Sequence, residues 1–277
     1  MPPRVVSLAR ARGVARRARR PSPRATTIAR RAARAGGAPR AAMRDSATST
    51  RAHWASPEIR RFRRLDAETR ASEASEPAVV FVGSSIFREW REVRDFEEDW
   101  RGRMGDARRA VNRAFGGAET TDLLTFFDDV LPRGRADVRA IVYYCGSNDV
   151  SVGRSAREVF ENFKRFAESA RRERSARLGV VFVGMIDSPQ KRAFALSHVV
   201  RETNALCEAW CAKTPGAVYA DVTETFADAS SFREDGTHLR PEAYDGFRDA
   251  IARAVVEAVA HASPPPDDAF LPPAMRR

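Results

Sequence analysis

The chain has 277 residues, long enough for one well-buried domain with extra segments at its ends and too short for two average domains with such segments. Its net charge of +11 invites a nucleic-acid reading, but the charge is unevenly placed: residues 1–51 hold 14 Arg and a single acid, Asp45, for +13, while the remainder holds 34 basic against 36 acidic residues, −2. A near-neutral folded part has no electrostatic footprint for a phosphate backbone, so any nucleic-acid affinity would have to sit in the first fifty residues.

Those first residues are rich in Arg and Ala with scattered Ser and Thr, and lack both apolar periodicity and the apolar core of a secretory signal. The composition fits an organellar transit peptide, for mitochondrion or chloroplast; the alternative is a disordered basic arm that stays attached in the cytoplasm and adheres to anionic surfaces. After Arg51, Ser56-Pro57-Glu58 reads as N-cap, first-turn proline and acid, opening a helix to about residue 70. Residues 72–77 read as a linker. Apolar runs rich in Val and Ile follow at 78–83, 140–145, 178–186 and 217–222, with a weaker strand around 110–111, as parallel strands buried on both faces would be. Helix-like stretches at 120–130, 156–176, 197–213 and 241–260 alternate with them. In the second of these, Val159, Phe160, Phe163, Phe166, Ala167 and Ala170 form one stripe, a core face rather than a base-stacking platform. Strands alternating with helices predict an α/β/α three-layer, flavodoxin-like doubly wound parallel sheet of about five strands. The domain scheme is therefore a basic leader (1–51), a helical lead-in and linker (52–77), the α/β domain (78–262) and a Pro-rich tail (263–277). No run of 18 apolar residues predicts a membrane span.

Three cysteines, an odd count without a secretory signal, do not suggest a disulfide framework. Cys207 and Cys211, four apart on a predicted helix, read as two small buried side chains rather than a metal or redox pair. None of the four histidines stands at ligand spacing to another His or Cys, so no metal is expected.

Ligands of open α/β sheets bind beyond the carboxyl ends of the strands, and the polar residues converge there. The first strand runs into Gly83-Ser84-Ser85-Ile86, where a serine is either exposed near backbone donors or an ordinary N-cap. Asn112-Arg113-Ala114-Phe115-Gly116-Gly117 follows the second, with paired glycines that turn the chain or free N–H groups for an anion, and Thr120 as a helix cap. The third strand ends in Gly146-Ser147-Asn148-Asp149, where Asn148 is an oxyanion donor or the start of an Asx-turn. Last, Asp235-Gly236-Thr237-His238 spaces a carboxylate to reach an imidazole three residues on. Serine attack on an ester needs a base to take the hydroxyl proton and a carboxylate to fix that base's tautomer. Ser85, His238 and Asp235 supply these parts, and the N–H groups of Ser85 and Gly117 with the Asn148 amide could meet the oxyanion. His238 must be neutral to act as base, and the unperturbed imidazole value of ~6.5 predicts an activity onset at mid pH.

Taken in order, GSS (83–85), NRAFGG (112–117), GSND (146–149) and DGTH (235–238) resemble the four blocks of the SGNH hydrolases, the GDSL esterase/lipase family, over roughly residues 54–260. The resemblance implies Ser85 as nucleophile, His238 as base, Asp235 as its orienter, and an oxyanion hole of Ser85, Gly117 and Asn148. It implies a small-molecule, lipid or sugar ester as substrate and no cofactor. Two residues depart from the pattern: Ser84 replaces the aspartate of the G-D-S turn, and Ala114 stands where relatives often carry glycine. Neither removes an attacking, proton-accepting or oxyanion-donating group, and the register favours Ser85 over Ser84. No G-x-S-x-G occurs, so a nucleophile elbow is not supported. The segment 187–198 is expected to wall the pocket, Phe194 and Leu196 facing an acyl group and Lys191 and Arg192 an acidic or phosphate head. Alternatives are a non-catalytic binding module on the same fold, or an anionic-surface or nucleic-acid binder acting through residues 1–51.

Overall fold

The computed structural model describes residue 55 and residues 57–68, 79–105, 109–131 and 138–262. The Arg-rich leader, the Ser56 cap, the 72–77 linker and the Pro-rich tail lie outside the described residues.

Five strands, β1 (Val79–Gly83), β2 (Ala110–Asn112), β3 (Ala140–Tyr144), β4 (Gly179–Val183) and β5 (Ala217–Ala220), form one parallel sheet in the order β2-β1-β3-β4-β5. Every residue of β1, β3 and β4 is buried. Continuous Val/Ile runs fit this position because side chains alternate between two faces and both faces are covered. Val79 and Phe81 of β1 point into one core with Trp90, Trp100 and Phe247, whereas Val80 and Val82 point into the other with Phe62, Phe163 and Phe166. The predicted run 178–186 remains strand only to Val183. Beyond it the Met185 backbone pairs with the Asn204 side chain, N–H to Oδ1 at 2.8 Å and Nδ2 to the carbonyl at 2.9 Å, so the chain leaves the ladder there.

The helices are α1 (residues 57–68), α2 (Ser85–Val93), α3 (Phe96–Met104), α4 (Thr120–Thr125), α5 (Phe127–Val130), α6 (Ser147–Ser151), α7 (Ala156–Glu173), α8 (Pro189–Ala193), α9 (Ser197–Cys211) and α10 (Tyr244–Ala262). The first core gathers residues of α2, α3 and α10, and the second gathers residues of α1, α4, α7 and α9, which makes the sheet the middle of three layers. In α7, Ser155 and Glu158 form a reciprocal capping box, and the predicted stripe is buried except for Phe160, which packs at its edge. The stretch 120–130 is two short helices, broken where Phe126 takes φ −100°, ψ 28°. Its N-cap is Glu119, not Thr120, which is drawn to another partner described below. The stretch from Pro241 begins as a 3-10 turn, Pro241–Ala243, before α10.

The strand order reverses at β1, between β2 and β3, and the carboxyl ends of β1 and β3 therefore border the crevice where such sheets bind ligands. None of the described helices is long and apolar enough to cross a membrane.

Candidate active site

The end of β1 is pressed against β3. Ser84 N–H donates to the Tyr144 carbonyl at 3.1 Å, and a Cβ on Gly83 would collide with that same oxygen, so only glycine allows the approach. Ser84 is buried at the N-cap position of α2 but its side chain makes no capping bond. Ser85, the first helical residue, is half-buried and turned toward the crevice.

The ladder between β1 and β2 continues past Asn112. Arg113 N–H donates to Phe81 O at 2.8 Å and Phe115 N–H to Gly83 O at 3.2 Å, which carries Gly116 and Gly117 alongside Ser85. Gly117 adopts φ +68°, a conformation that favours glycine. From β3 the chain turns through Gly146, φ +130°, into α6. Asn148 donates one amide N–H to the Ala118 carbonyl at 2.9 Å. Asp149 accepts from Thr120 N–H at 3.0 Å and from Thr120 Oγ1 at 2.6 Å. The second and third sequence blocks are thus tied together by two side chains. Burial pushes the Asp149 carboxyl up to about 6, although the Thr120 hydrogen bonds pull the other way.

Asp235 to His238 form the tip of a hairpin closed by the Phe232–Leu239 bridge and by Arg233 N–H to His238 O at 2.8 Å. Gly236 turns the tip at φ +65°. Asp235 Oδ1 accepts the backbone N–H groups of Thr237 and His238 at 2.8 and 2.9 Å, while Oδ2 lies 2.6 Å from His238 Nδ1. Partial burial disfavours the charge, but these hydrogen bonds from His238 and Thr237 outweigh it and hold the Asp235 carboxyl at about 2. An ionised carboxylate can only accept, so Nδ1 carries the proton and Nε2 is free to receive one. Ser85 Oγ lies 3.0 Å from Nε2.

Sequence reasoning missed Glu89. It lies one turn after Ser85, hence on the same face of α2, buried, with Oε1 3.3 Å from His238 Nε2. Arg88 Nη2 donates to Oε1 at 3.2 Å, and Arg233 Nη1 lies 2.9 Å from Oε2, an ion pair not aligned as a hydrogen bond. The four-residue spacing was the available signal. The arrival of His238 and Arg233 from about 150 residues away was not visible.

These groups line an open cleft of about 700 Å³ that includes Ser85, Glu89, Gly117, Asn148, Asp235 and His238. It thus brings together all five residues singled out from sequence. The expectation for residues 187–198 is corrected: Lys191 lines the cleft, but Phe194, Leu196 and Arg192 do not. Phe194 is 69 % exposed, Leu196 packs against Val150 and Met185, and Arg192 turns back to the Asp187 carbonyl at 2.6 Å. Pro57 and Glu58 of α1 form part of the wall instead. Cys207 and Cys211 are buried away from this region, their thiols pushed up chiefly by burial, Cys211 to about 12. Among the described residues no group of three or more His, Cys, Asp or Glu could hold a metal ion.

A sequence profile of the GDSL-like Lipase/Acylhydrolase family matches residues 81–245, more than half of the chain. The chain belongs to this family of hydrolases. No curated protein matches it. Among solved structures, a protein from Streptococcus pneumoniae superposes with a TM-score of 0.60 at 17 % identity, covering 76 % of this chain and 99 % of its own. A GDSL-like lipase from Bacteroides thetaiotaomicron gives 0.56 at 20 %, covering 72 % and 99 %. A lipolytic protein of the G-D-S-L family from Veillonella parvula gives 0.53 at 18 %, covering 63 % and 96 %. At these identities the likeness is one of fold.

Proposed function

We propose that this protein hydrolyses carboxylic esters through an acyl-enzyme on Ser85. The observation that carries the reading is the hydrogen-bond chain Asp235 Oδ2 to His238 Nδ1 at 2.6 Å and His238 Nε2 to Ser85 Oγ at 3.0 Å, at the wall of an open cleft. Ser85 Oγ attacks the ester carbonyl as His238 Nε2 takes its proton, and Asp235 holds the ring in the tautomer this requires. The oxyanion forms beside the first turn of α2, where Ser84 supplies no capping acceptor. Ser85 N–H, Gly117 N–H and the Asn148 amide are its donors, a group of interactions commonly worth several powers of ten in rate. The bond to Ala118 fixes the Asn148 amide in position. His238 then protonates the departing alkoxide, leaving an acyl ester on Ser85. Water attacks that ester with His238 again as base, and the acid departs as Ser85 regains its proton. Glu89 faces the imidazolium that forms in both halves and stabilises it from the side opposite Asp235.

The test is hydrolysis of 4-nitrophenyl esters from acetyl to decanoyl. Ser85→Ala is expected to lose activity by roughly 10⁴-fold or more, and Ser84→Ala to retain it within a few-fold. A Ser85→Ala enzyme as active as wild type, or one killed only by Ser84→Ala, overturns the assignment. Residues 1–51 are proposed as an organellar targeting segment, a reading supported by 14 Arg and a single acid.

A further inference from the structure

The charged groups that line the cleft are not equally matched. Arg88 meets Glu89 and Glu92, both at 3.2 Å; Glu58 meets Arg91 at 3.0 Å; Glu89 meets Arg233; and Asp235 meets His238. Lys191 differs from all of them. The residue is 2 % exposed, yet it borders the cleft together with Ser85 and Asn148. Nζ donates to Ser151 Oγ at 2.6 Å and to Gln190 Oε1 at 3.3 Å, both neutral acceptors that line the same cleft. No carboxylate among the described residues lies within ion-pair distance of it. An ammonium has three N–H donors, and the third meets no acceptor among the described residues.

A buried cation without a counter-charge is costly, and proteins generally pair such groups or use them. Burial pushes the Lys191 ammonium below the ordinary lysine value, the sign of that cost. The cost is not incurred by chance packing of a long loop side chain. Ser188 caps α8 by accepting the Lys191 N–H at 3.4 Å, and the Ser151 contact fixes the ammonium against the last turn of α6, three residues after Asn148. The ammonium carried by α8 is therefore held against the short helix that carries the proposed oxyanion donor.

The geometry points to Lys191 as the binding point for an oxyanion carried by the substrate, a carboxylate or phosphate group, so that the enzyme prefers negatively charged esters over neutral ones. This rests on the ester-hydrolase reading and adds to it the class of substrate. Lysine serves such a group as a point charge, without the fixed fork that arginine would impose.

The test compares kcat/KM of wild type, Lys191→Met and Lys191→Arg on neutral and charged partners. Phenyl acetate is paired with 4-acetoxybenzoate and with 4-acetoxyphenyl phosphate, which put a carboxylate or a phosphate on the leaving side. Phenyl hexanoate is paired with monophenyl adipate, which puts a carboxylate on the acyl side. In Lys191→Met, kcat/KM for at least one charged ester is expected to fall roughly ten- to hundred-fold relative to its neutral partner, the scale of a lost charge-assisted hydrogen bond, and Lys191→Arg to restore most of it. The pair that responds identifies the group and its side. An unchanged charged-to-neutral ratio in all three pairs overturns the inference while leaving the hydrolase reading intact, because a purely structural lysine would weaken both members alike. If wild type cleaves none of these esters, the hydrolase reading fails by itself. The subsite is then read by thermal shift with 4-hydroxybenzoate, adipate and inorganic phosphate. Stabilisation of wild type but not of Lys191→Met supports it, and equal shifts overturn it. Lys191→Gln repeats the comparison should Lys191→Met fold poorly.

Discussion

Asp149 holds a negative charge in a buried position, against two donors from a single threonine. Its carboxyl titrates near 6 in the fold against ~3.9 for an unperturbed aspartate. Raised folded values favour the protonated form, so the associated stability is complete below about pH 4 and is lost as pH climbs through about 6, a change of the order of 3 kcal/mol. In Asp149→Asn this pH-dependent loss is expected to disappear: the Tm difference between pH 4 and pH 7 should shrink, because the amide stays neutral at both pH values, as the protonated carboxyl is only at the lower one. A pH profile of Tm identical to wild type would show that Asp149 is not the titrating group. Asp235 behaves oppositely. Held at about 2, it stays ionised at every pH where the fold is expected to survive, so it adds nothing to the acid limb of activity. The residue scale also shows what sequence hides. Asp235, Asn148 and His238 stand in recognisable spacings, whereas Glu89 looks like any helix-surface acid until His238 and Arg233 cover it.

Among elements, β1 and α2 are joined with almost no freedom. The Gly83 Cα faces the Tyr144 carbonyl, a backbone group that cannot step aside without opening the β1–β3 ladder. Gly83→Ala is expected to cost roughly 3 kcal/mol, seen as a lower urea midpoint, with loss of esterase activity because Ser85 moves with the strand end. Unaltered stability would mean that the ladder yields there. On the far side of the turn, Tyr244 OH donates to the Ile86 carbonyl at 2.8 Å, pinning α10 to the first turn of α2. Strands were legible because fully buried parallel strands need unbroken Val/Ile runs. The helix ends were less so. The seizure of Thr120 by Asp149 depends on α6, which is brought alongside only by folding.

At the scale of the whole molecule, α1 belongs to the core. Ile59 and Phe62 are buried in the same cluster as β1 and α7, and buried Arg113 pairs with Asp66 while donating to the Phe62 carbonyl at 3.0 Å. Glu58 of the same helix lines the cleft and holds Arg91. Removing residues 1–51 is expected to leave kcat/KM within about twofold, since the rest of the chain is near neutral and carries every cleft residue. Removing residues 1–70 should abolish folding or lower Tm steeply, because losing a buried aromatic and one partner of a buried ion pair costs about 3–5 kcal/mol each. A chain beginning at residue 71 that folds and hydrolyses esters normally would refute this role for α1.

By itself, the sequence determined the class of fold, the succession of its five strands along the chain, the four blocks and the identity of Ser85, Gly117, Asn148, Asp235 and His238 around the cleft. Those follow from local rules: side-chain periodicity, glycine at tight approaches, and carboxylate-to-imidazole spacing within one loop. Tertiary structure alone decided that Glu89 shares the imidazole, that α1 rather than Phe194 walls the cleft, and that Lys191 is left without a counter-charge among the described residues. Each of these depends on segments far apart in the chain meeting at the strand ends, where burial, and not local pattern, sets what a charged side chain must do.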